Sequence, residues 1–102
     1  MPTIQFQSTN HKRFENGIQL THDFVPRIIL LDYSPNGLKL TISIVPTLSP
    51  KSATFQRDSN NILYYKGDDP DYRFEIETGS NNETKRVSVI RVDRNLELRF
   101  LL

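Results

Sequence analysis

The chain of 102 residues contains no cysteine. That excludes disulfide frameworks, thiolate zinc sites and cysteine nucleophiles, and it fits a reducing compartment. An excess of either charge is also lacking. Thirteen Lys and Arg face twelve Asp and Glu, for a net charge of +1. Bulk attraction to nucleic acid or to an anionic membrane therefore has no basis. The longest apolar run is Ile28 to Leu31, far short of a membrane span, and the N-terminus lacks the apolar core of a signal peptide. No stretch places apolar residues at helical spacing. The length fits a single domain, residues 1–102, able to bury about 60–70% of its unfolded surface. Phe100-Leu101-Leu102 closes the chain inside an alternating apolar pattern. Natural ends are commonly polar and frayed, so the expectation is a domain cut from a longer protein.

What the sequence does contain is β periodicity. Leu38, Leu40, Ile42 and Ile44 alternate with Lys39, Thr41 and Ser43, which puts aliphatics on one face and polar groups on the other. Pro46 and Pro50 are expected to end that strand and bracket a loop. Val87 and Val89 alternate, then Ile90 and Val92 change phase, which suggests a bulge or a strand end. Leu96, Leu98 and Phe100 alternate again, with Asp93-Arg94 as a hairpin turn before them. Weaker strands are expected at Thr3–Gln7, Gly17–Asp23, Arg27–Asp32, Asn61–Lys66 and Tyr72–Thr78, with Ile4 and Phe6 directed inward in the first. Turn signals separate them at Glu15-Asn16-Gly17, Ser34-Pro35-Asn36-Gly37, Gly67-Asp68-Asp69-Pro70 and Gly79-Ser80-Asn81-Asn82. This punctuation predicts an all-β fold, a small barrel or sandwich. Ile28-Ile29-Leu30-Leu31 does not alternate. A strand apolar on both faces wants cover on both, from a partner subunit or from a loop.

Candidate chemistry is sparse. His11 and His22 lack the spacing to carboxylates or to each other that marks a zinc site or a triad. His22 adjoins Asp23, but neighbours on a strand point to opposite faces. Asp68, Asp69 and Asp71 surround Pro70 without the alternating ligands of a calcium loop and read as a solvated turn. From Asp68 to Glu83 acids dominate, a locally negative face suited to a basic partner. Lys85, Arg86, Arg91, Arg94 and Arg99 make the tail basic. Aromatics do not interleave with them as a base-stacking surface requires. No nucleophile–base pair or metal set can be assembled, so the chain is expected to be neither an enzyme nor a cofactor carrier.

Asp32-Tyr33-Ser34-Pro35-Asn36-Gly37 fits D-x-S-x-x-G, which resembles the second half of the PilZ signature for cyclic di-GMP. In that alternative Asp32, Ser34 and Gly37 contact the nucleotide. The upstream arginine pair of PilZ domains is missing, since Lys12-Arg13 is followed at the required spacing by Gly17.

A second resemblance covers more of the chain. Asp23-Phe24-Val25-Pro26 with Ile29, then Gly37-Leu38-Lys39-Leu40, then Tyr65-Lys66-Gly67 with Tyr72, occur in order. Val87-Ser88-Val89-Ile90 and Leu96-Glu97-Leu98-Arg99-Phe100-Leu101 close the series. Together, over residues 17–101, they resemble the N-terminal domain of the ELL-associated factors. The stretch from Gly67 to Val87 is longer than the family's link, with Glu75 to Glu83 reading as an insertion. The resemblance implies a half-barrel like the dimerisation modules of the general factor TFIIF. It also implies heterodimerisation with an ELL-type subunit, indirect contact with RNA polymerase II during elongation, and a nuclear location. The residues expected to bind the partner are Phe24, Ile28 and Leu30, together with an edge formed by Leu96, Leu98 and Phe100.

Overall fold

A computed structural model describes residues 3–102. Those residues form ten strands and no helix: β1 (Thr3–Ser8), β2 (Asn10–Glu15), β3 (Ile18–Asp23), β4 (Arg27–Tyr33), β5 (Lys39–Val45), β6 (Leu48–Ser59), β7 (Ile62–Gly67), β8 (Tyr72–Thr78), β9 (Thr84–Arg91) and β10 (Leu96–Leu101). They make one antiparallel sheet of order β1-β4-β5-β6-β7-β8-β9-β10-β2-β3. The fold is all-β, as the β periodicity leads one to expect, and the sheet curls into a half-barrel.

The curl follows from the chain path. β1 and β2 sit toward opposite ends of the strand order, yet only Thr9 separates them. The two ends of the sheet are thereby drawn together. Ser8, buried at this corner, donates from Oγ to the Leu101 carbonyl at 2.6 Å. Bulges add curvature. In β2–β3 the register slips between Arg13 and Phe14, and in β6–β7 between Phe55 and Arg57.

The concave side is the core. Ile29 and Leu31 of β4, Leu40, Ile42 and Ile44 of β5, Ile76 of β8 and Phe100 of β10 are all at or below 1% exposure, each at the inward phase of its strand. Tight turns join the strands. Asn16-Gly17 and Asn60-Asn61 each connect a hairpin with both residues at positive φ, the conformation that matches strand twist and favours Asn and Gly.

Several expectations are corrected. β2 and β6 lie where the local pattern suggests loop. β2 has a polar residue, His11, at its buried position, and its one aromatic, Phe14, is only half-buried; β6 carries Pro50, which suggests a break. Pro50 is tolerated because the β5–β6 register slips between Ile42 and Ile44, and a bulge has no ladder bond for proline to lose. Ile4 is 37% exposed while Phe6 turns inward. Leu38 lies before β5 and is exposed. The phase change at Ile90 and Val92 is the strand end rather than a bulge: the register with β10 runs unbroken from Arg86 to Arg91, where β9 stops. The turn after β9 spans Val92 to Asn95, with Asn95 at φ 50°. Glu75 to Glu83 comprises the end of β8, which supplies Ile76 to the core, and the turn before β9.

Candidate interaction surface

The six residues expected to bind a partner divide into two groups. Phe24 is 67% exposed, Ile28 is 37% exposed and Leu30 is half-buried. Leu96, Leu98 and Phe100 do not form an edge. β10 is paired on both sides, with β9 and with β2, so its backbone has nothing to offer another chain. Leu96 and Phe100 are buried and Leu98 packs against the core. Alternation reveals which residues share a face, but that face points inward.

The outward group has a built support. Asp23, at the end of β3, sits across from His11 of β2. Its Oδ2 lies 3.3 Å from His11 Nδ1. Arg27, at the start of β4, donates to Asp23 Oδ1 at 2.7 Å, and so does the Val25 main-chain N–H at 3.2 Å. Arg27 also donates to the Val25 carbonyl. The Phe24-Val25-Pro26 corner is thus tied at both ends by one carboxylate and one guanidinium. Its apolar side chains stay in solvent, with Val25 57% exposed. Ile28 follows and pairs across strands with Val45, itself 54% exposed. Beside the corner runs β3, whose second edge is unpaired among the described residues and whose Ile18 and Leu20 are exposed. A tied corner, an exposed aliphatic pair and a free edge are the ingredients of strand addition.

Beneath the corner His11 is buried, stacked on Phe100 with ring centroids 4.6 Å apart. Burial lowers its pKa, and the hydrogen bond to Asp23 opposes this only in part. The Arg27 guanidinium, ahead of the smaller help from His11, holds the Asp23 carboxyl well below the usual carboxylate range. His11 and Asp23 are twelve residues apart, and nothing short of the β2–β3 register brings them together. The Asn16-Gly17 turn is the signal in the sequence that could have found this pair, by folding the hairpin back on itself.

The two charged segments meet at Arg86. Arg86 of β9 lies 3.0 Å from Glu77 and 3.5 Å from Glu75 of β8, and 3.9 Å from Glu97 of β10. It also bonds the buried Ser88 hydroxyl. Glu75, Glu77 and Arg86, which look like parts of separate faces along the chain, are cross-strand neighbours.

The D-x-S-x-x-G segment closes a hairpin on itself. Ser34 Oγ donates to Asn36 Oδ1 at 2.7 Å and accepts from the Lys39 main-chain N–H at 3.0 Å. Gly37 has φ 74° and donates to the Ser34 carbonyl. Asp32 is exposed. These bonds account for the spacing as turn chemistry. Among the described residues no group of three His, Asp or Glu is placed to hold a metal ion. No family model matches the chain, and no curated protein and no solved structure matches it.

Proposed function

We propose that this chain is a non-catalytic protein-interaction domain that docks through the Phe24-Val25-Pro26 corner, the Ile28–Val45 pair and the free edge of β3. The observation that carries this reading is the clamp of Asp23 and Arg27, which ties the Val25 main chain beside exposed Phe24. A pre-set apolar corner loses little conformational entropy on binding. Covering a side chain the size of Phe24 is worth about 1.5–3 kcal/mol. The occupant would be an extended apolar strand of a β-rich subunit, added to β3. The resemblance to the ELL-associated factors narrows the proposal to an ELL-type subunit within an RNA polymerase II elongation complex in the nucleus.

Co-expression with an ELL-type N-terminal domain, followed by size-exclusion chromatography with light scattering, tests it. A 1:1 complex that Phe24→Asp abolishes is the expected result. A folded monomer that ignores the partner would overturn the narrower reading, and an unaffected complex in Phe24→Asp would overturn the assignment of the surface.

A further inference from the structure

We infer that one end of the half-barrel binds a neutral, hydroxylated ring of monosaccharide size, separately from the docking surface. A cavity of about 540 Å³ opens there, within the range of about 300–1,000 Å³ typical of small-molecule sites. It lies where β4, β6 and β8 end and where β1, β7 and β9 begin. Its apolar part is made by Ile4, Tyr33 and Leu63. Tyr33 and Leu63 pack directly on the core. Its rim includes the exposed turn residues Asn60, Asn61 and Asn82.

The chemistry of this lining selects its ligand class. Among the described residues Lys, Arg and His are absent from it, so a phosphate or carboxylate would find no counter-charge. Its single carboxylate among those residues, Asp58, accepts hydrogen bonds and repels anions. A hydrocarbon chain would meet a rim of exposed polar residues that offers it little apolar cover. Carboxamides both donate and accept, which suits hydroxyl groups that do the same. Burial, with the Tyr65 phenol alongside, pushes the Tyr33 hydroxyl pKa up, so it remains a donor at every physiological pH.

The three asparagines have positive φ, at 52°, 64° and 61°. Turn geometry explains a residue that tolerates this conformation, and glycine would serve equally. Thr78 uses the Asn61 carbonyl for both its N–H and its hydroxyl, so the hairpin relies on the Asn61 main chain. That separation makes the test clean. Asn61→Gly with Asn82→Gly keeps the turns and removes the amides.

The experiment is a titration of the isotope-labelled chain, followed by amide NMR shifts. The probes are glucose and N-acetylglucosamine, free and as the terminal unit of maltotriose and chitotriose. Inorganic phosphate is the charged control. We expect shifts confined to Tyr33, residues 58–63 and residues 78–84, with a Kd on the order of 1 mM. The double glycine variant should bind at least about tenfold more weakly, the loss of one or two hydrogen bonds. Tighter binding of the trisaccharides would mark a glycan end as the source, and equal binding a free sugar. No shift with any sugar, unchanged binding in the glycine variant, or equal response to phosphate would overturn the inference.

Discussion

Phe100 and Phe24 are both expected at an interface from the sequence, and the fold gives them opposite environments. Phe100 is fully buried, stacks on His11 and has the Arg27 guanidinium 5.9 Å from its ring centre. Phe100→Ala would leave a void in the core and uncover the buried imidazole. Such truncations cost about 3–5 kcal/mol, against a total of roughly 5–15 kcal/mol for a domain of this size. Phe24, 67% exposed, supports little in the isolated chain, so Phe24→Ala should change stability by no more than about 0.5 kcal/mol. With a urea slope of about 1–2 kcal/mol per molar, Phe100→Ala should lower the midpoint by roughly 1.5–5 M and Phe24→Ala by less than about 0.5 M. Urea unfolding followed by circular dichroism reads both. Equal costs, or a neutral Phe100→Ala, would refute the division of the six residues into core and surface.

Three further outcomes follow from the structure. His11 titrates at 6.5 when unfolded and lower when folded. Between those values the unfolded chain binds more protons, so stability should fall as pH drops below 6.5 and level off once the folded imidazole protonates. The Asp23 carboxylate, depressed from 3.8, withdraws its own contribution at still lower pH. His11→Gln should flatten the upper window in urea midpoints measured across pH; an unchanged slope would remove His11 from the account. A Cβ at Gly67 would meet main-chain oxygens of Asp69 and Tyr72 at 2.8 Å, so Gly67→Ala should lower the thermal midpoint by several degrees, a cost of about 1–3 kcal/mol. Arg86→Met would leave Glu75, Glu77 and Glu97 mutually repelling on one face. It should destabilise by about 1–3 kcal/mol, and the loss should shrink in high salt. A salt-independent loss would point to packing instead.

The all-β class and eight of the strands are legible because alternation and Asn, Gly and Pro turns are local signals. β6 hides behind Pro50, whose tolerance depends on a bulge that only its pairing with β5 reveals. β2 hides because its one buried residue, His11, is polar, so no apolar alternation marks its inward side. The apolar corner is visible as Phe24-Val25-Pro26, but its rigidity is not. That rests on Asp23, His11 and Arg27, which meet only after two strands have paired. The same limit explains the misplacement of Leu96, Leu98 and Phe100. Period-2 patterning sorts residues into faces, while the number of paired edges decides whether a strand can accept another chain. Glu75, Glu77 and Arg86 likewise read as opposing patches along the chain and become neighbours across it.

The central claim is that β3 and the corner after it receive a partner strand. Amide hydrogen exchange of the chain, alone and with an ELL-type N-terminal domain, tests it most directly. The account predicts new protection concentrated in residues 18–28, with the amides of β9 and β10 unchanged because both strands are already paired on each side. Protection that appears elsewhere, or no change in residues 18–28 on complex formation, would contradict it.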